Sequence, residues 1–145
     1  MTTGEQLDLI DRLRAHAFVD TPVRLGRHVS GPGYHLVGLG GTRDFWEDDG
    51  SYRAEATDQI GAAYGSLTQA LTDRWGEPQV FSPDSLNLRA LAGEAIPQPW
   101  QELSHTTDHL HLWRAEDSWL VVCVARWGED DPYLLMAAVT VVDPP

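Results

Sequence analysis

The chain has 145 residues, with 22 acidic side chains against ten basic ones, all arginine, and a formal net charge of −12 at neutral pH. A field of that sign repels nucleic acid and anionic membrane surfaces and draws basic proteins, so nucleic-acid and membrane partners are excluded and a basic protein partner is favoured. A hydrophobic fraction of 42% with six tryptophans provides for a folded core, and a single domain over residues 1–145 is expected rather than a disordered chain.

At the N-terminus, acids begin at Glu5 and no apolar run is long enough for a signal peptide or a membrane span, so a cytoplasmic location is expected. Residues 5 to 18 read as an amphipathic helix, because Leu9, Ile10, Leu13 and Ala17 recur at helical spacing, and Asp20, Thr21 and Pro22 stop it. From Val23 to Gly33, apolar residues mixed with glycine, serine and proline suit a strand fragment followed by a turn. Tyr34 to Leu39 reads as a strand ending at Gly40 and Gly41, with a second short strand from Arg43 to Trp46. Glu47, Asp48, Asp49 and Gly50 then form a hairpin turn, and Ser51 to Ala56 returns antiparallel.

A second helix starts near Thr57 or Asp58, where either side chain can cap free amides. Ile60, Tyr64, Leu67, Leu71 and Trp75 form one apolar stripe, Gly76 caps it, and Pro78 prevents continuation. Gln79 to Phe81 reads as a short strand, Pro83 to Leu91 as a weak helix, and the segment around Pro97, Pro99 and Trp100 as a stiff connection.

The C-terminal third reads as a β-meander over residues 109 to 142. Its tight turn at Glu116 and Asp117 and its acidic reversal at Glu129, Asp130 and Asp131 separate strands that are apolar at both parities. Cys123 lies in the most apolar run and reads as a buried thiol with no disulfide partner. The fold expected is α+β: a two-layer sandwich of a mostly antiparallel sheet of five to seven strands, ending in a three-strand meander, with the two main helices on one face.

Specific chemistry is sparse. GLGG at residues 38–41 lacks the spacing of a dinucleotide or phosphate loop, and no serine stands in a nucleophile elbow. The acidic run from Asp44 to Glu55 fails as a calcium hand, because Trp46 stands where the third-position ligand belongs. No cofactor is expected.

Two patterns remain. His105, Asp108, His109 and His111 crowd together, and His109 and His111 would share one strand face, the arrangement of half a metal site. Against this stands a surface pattern of acidic turns beside aromatics, with Asp44, Trp46, Glu47, Asp48, Asp49, Glu129, Asp130 and Asp131 as candidate partner-binding residues. Rings supply buried area and carboxylates steer a basic partner. The leading expectation is a non-catalytic acidic binding domain of the inhibitor or immunity type, with a small metal-binding protein or metal-dependent enzyme using His105, His109 and His111 as the alternative. An apolar strand from Tyr133 to Val142, if at the sheet edge, would offer a homodimer contact.

Overall fold

The computed structural model describes residues 2–26, 28–42 and 49–145. The chain is an α+β sandwich built on one seven-stranded antiparallel sheet. The elements run α1 (Thr3–Ala15), β1 (Val23–Leu25), β2 (His28–Gly31), β3 (Tyr34–Gly41), α2 (Ser51–Trp75), β4 (Gln79–Phe81), α3 (Asp84–Leu91), α4 (Trp100–Thr106), β5 (Leu110–Ala115), β6 (Ser118–Ala125) and β7 (Leu134–Thr140). Strand order across the sheet is β1-β2-β3-β7-β6-β5-β4.

The C-terminal meander is β5-β6-β7, in register from His111 opposite Val122 to Ala115 opposite Ser118, and from Trp119 opposite Thr140 to Ala125 opposite Leu134. Its first reversal places Glu116 at φ 61, a left-handed backbone that a two-residue hairpin turn requires. Every residue of β7 is buried, because each of its faces meets a hydrophobic layer. On one face Ile10 and Leu13 of α1 and Ile60, Leu67 and Leu71 of α2 pack against Val37, Leu39, Trp113, Leu120, Val122, Leu135 and Val139. On the other, Leu86 of α3, Ile96, Trp100 and Leu103 of α4 cover Leu36, Leu110, Leu112, Val121, Cys123, Met136 and Ala138. The two main helices therefore share one face, and the two short ones close the other.

β7 is interior. Its backbone pairs with β3 on one side and β6 on the other, so the segment from Tyr133 to Val142 offers no free edge to a second copy. The edge position expected for this strand is thus not found, and its apolar content reflects burial at the sheet centre. The edges fall to β1 and β4, each of three residues, and such brevity limits further strand addition.

α1 begins with a reciprocal cap: the Thr2 hydroxyl accepts from the Glu5 amide at 3.1 Å, and the Glu5 carboxylate accepts from the Thr2 amide at 3.2 Å. It ends at Ala15, short of residue 18, since Phe18 leaves the helical path to stack on His35 at 5.0 Å between ring centroids. The expected strand Arg43 to Trp46 and the first half of the turn after it, Glu47 and Asp48, lie outside the described residues. Ser51 to Ala56 is not a returning strand but the opening turns of α2. Asp49 accepts from the Ser51 amide at 3.0 Å and from its hydroxyl at 2.6 Å, and Ala56 is buried in line with Ile60. The stiff connection contains a helix, α4, which opens at Trp100 directly after a cis Gln98–Pro99 bond. Among the described residues no helix is long and apolar enough to cross a membrane.

Candidate functional site

β6 ends and β7 begins at one end of the sheet, and there four segments meet: the start of α2, the end of α4, the approach to β5, and the loop from Arg126 to Tyr133. Arg126 is fixed to α4 through its backbone, its amide donating to the Thr106 carbonyl at 2.8 Å. Tyr133 is fixed to the end of β3, with its amide donating to the Thr42 hydroxyl at 3.0 Å. Arg53, in the first turn of α2, donates to the Glu129 carbonyl at 2.9 Å and reaches the Asp130 carboxylate at 3.3 Å. Residues more than seventy positions apart thus form one surface.

Of the candidate partner-binding residues, Asp44, Trp46, Glu47 and Asp48 lie outside the described residues. Asp49 and the turn Glu129, Asp130, Asp131 lie on two segments that Arg53 joins. Asp49 is drawn inward to Ser51, and that pair of hydrogen bonds holds its carboxyl below the usual range. Asp130 faces Arg53, while Glu129 and Asp131 have no ion-pair partner among the described residues. Trp127 is 50% exposed beside them. Tyr52 and Tyr133, expected at the same turns, are half-buried. The third acidic turn, Glu116 and Asp117, sits at the opposite end of β5 and β6, where Arg14 approaches Glu116 at 3.9 Å.

The histidine pattern is realised as a ring column. His109, His111 and Trp113 lie along one face, with centroids 6.0 Å and 6.2 Å apart, as alternation on a strand requires. Tyr64 of α2 packs edge-on against both histidines, and its hydroxyl meets His111 Nδ1 and donates to the Val122 carbonyl. Burial lowers the His111 pKa, and His109 beside it lowers it further. Burial also raises the Tyr64 phenol. His109 Nδ1 is 2.8 Å from Asp108. One ring nitrogen of each imidazole is thereby engaged, and among the described residues no group of three His, Cys, Asp or Glu side chains could hold a metal ion. Cys123 faces the opposite core, free and fully buried, and burial pushes its thiol up to about 12.

Between α2 and the approach to β5 lies a cleft of about 630 Å³, lined by Thr57, Ile60, Gly61 and Tyr64 on one side and by residues 105–109, Val124, Arg126 and Tyr133 on the other. Arg126 also borders a neighbouring hollow of about 520 Å³ with Arg53, Trp127 and Glu129. Its guanidinium lies 5.3 Å from the centre of the Tyr133 ring. The Tyr133 phenol is held below its ordinary pKa, first by a hydrogen-bond contact with Thr57, then by the charges of Arg126 and Arg53. The histidine pattern marks one wall of this cleft, through His105, Asp108 and His109, but nothing in the sequence marks the other, because Arg126, Tyr133 and Thr57 converge only through the sheet.

Comparison with family models, with curated proteins and with solved structures finds no match.

Proposed function

We propose that this chain is a non-catalytic cytoplasmic binding protein of the inhibitor or immunity type, which engages a positively charged protein through the loop from Trp127 to Asp131. The observation that carries the reading is the half-exposed Trp127 on the same loop as Glu129 and Asp131, which have no ion-pair partner among the described residues. An exposed indole offers area to be buried in a contact, and unpaired carboxylates around it favour a cationic partner and speed its approach. The net charge of −12 acts in the same direction at longer range. Arg53 supports the loop from below, so its shape is set before contact and less ordering is needed on binding. A free, buried cysteine is compatible with the reducing cytoplasm.

The test is association with a basic partner recovered from native lysate, measured over a salt series. The association rate is expected to fall at least about tenfold between roughly 0.05 and 0.5 M NaCl, as screening shortens the range of attraction. Glu129→Lys combined with Asp131→Lys should slow association, and Trp127→Ser should speed dissociation. A rate indifferent to both salt and charge reversal would refute the reading.

A further inference from the structure

We propose that the cleft between α2 and the approach to β5 binds a small organic carboxylate with a ring-shaped body, its charge held by Arg126 and its ring seated between Tyr64 and Tyr133. A cleft of about 630 Å³ lies within the range of roughly 300–1,000 Å³ common for small-molecule sites. Three observations specify the occupant.

Charge comes first. Arg14, Arg24, Arg53, Arg74 and Arg89 each reach a carboxylate within 3.9 Å. Arg12, Arg114 and Arg126 reach none among the described residues, and of these Arg126 lines the cleft. It lies instead near the Tyr133 ring, with Nη1 3.5 Å from the phenol oxygen. A guanidinium beside a ring keeps its planar donor edge available, and that edge matches a carboxylate.

The second is the lining. Ile60 and Val124 give an apolar floor, and Tyr64 and Tyr133 contribute rings, so a bare ion would leave most of the cleft unused. Thr57 adds a hydroxyl near the Tyr133 phenol.

The third is Gly61. A glycine inside a helix costs about 1 kcal/mol relative to alanine and normally reflects close packing or backbone strain. Gly61, like Gly65 in the same helix, has neither, since a Cβ built there meets nothing within 4 Å; Gly61 alone of the two borders the cleft. Its missing side chain leaves room for a ligand.

This inference stands apart from the protein-binding reading, because the acidic turn is not part of the cleft lining, and the two can fail separately. The experiment is a titration of the full chain with benzoate, benzamide and inorganic phosphate, followed by NMR shifts of the Gly61 amide. Benzoate should saturate with a Kd of about 1 mM or below, with benzamide and phosphate each at least roughly tenfold weaker. Gly61→Leu should abolish the benzoate response, and Arg126→Gln should weaken it about tenfold, with unchanged thermal melting showing that both variants fold. Equal binding of benzoate and benzamide, tighter binding of phosphate, or no saturation by any probe would overturn the proposal. The wild-type titrations decide it even if a variant does not fold.

Discussion

His35 is almost wholly buried, 3% exposed, between His16 and His28 and under the ring of Phe18. Its Nδ1 is 2.7 Å from the Ser30 hydroxyl, and its Nε2 faces the His16 carbonyl at 3.4 Å. Burial lowers its pKa most, the His16 carbonyl opposes this as the next largest effect, and the neighbouring His28 and His16 lower it further. The folded form therefore resists a proton that the unfolded chain accepts near pH 6.5. Stability should be level above that pH and decline as pH falls below it, since the unfolded state then binds more protons. Urea midpoints measured from pH 8 to pH 5 should show this slope, and His35→Asn should flatten it in part, with His111, depressed in the same sense, supplying some of the remainder. No slope in the native protein would mean that His35 protonates freely in the fold. Nothing in the sequence joins these residues, because His16 lies at the end of α1 and the other two on strands. Only the register that sets Ser30 opposite His35 brings them together.

Among the elements, α2 shows where sequence signals suffice and where they mislead. From Ile60 to Trp75 the large apolar stripe identifies a helix. Its first two turns carry only Tyr52 as a large apolar residue, and the preceding Asp-Asp-Gly resembles a hairpin turn. They are helical because Asp49 engages Ser51 and because Arg53 is tied to Glu129 and Asp130, the latter a contact that sequence cannot disclose. α4 was hidden for another reason. Two prolines precede it, and its seven residues are too few to display a period, although Trp100 is wholly buried and donates to the Val142 carbonyl at 3.0 Å. The meander was legible because strands apolar at both parities have few alternatives to a covered sheet. Gly65, in the middle of α2, has open space around the position of a Cβ. Gly65→Ala should thus stabilise the protein by about 0.5–1 kcal/mol through helix propensity. A urea titration would detect this as a higher midpoint at unchanged slope, and a lower midpoint would show that the site is crowded after all.

For the whole molecule, charge dominates. With 22 acids and ten arginines, five carboxylates are paired to arginine among the described residues, and all these pairs involve exposed or half-exposed side chains. Exposed pairs contribute little, about 0–1 kcal/mol each. Repulsion among the surplus acids should outweigh them. Raising NaCl from about 10 mM to 200 mM is then expected to raise the melting temperature by a few degrees, as screening relaxes that repulsion. A fall would show that the ion pairs matter more than the excess charge. Composition alone revealed this property, whereas the joining of the segment after Asp49 to the turn at Glu129 to Asp131, and the separation of Glu116 and Asp117 from both, depended on the fold.

That order has a consequence for synthesis. β7, the seventh of these strands in chain order, occupies the middle position, linking the much earlier β3 to β6. Until Leu134 to Thr140 leave the ribosome, the two halves of the sheet have no shared backbone partner, and each presents an open, apolar border. The sheet therefore cannot close until β7 has emerged, and a nascent chain that pauses before Leu134 depends on chaperones to keep those borders from finding other chains.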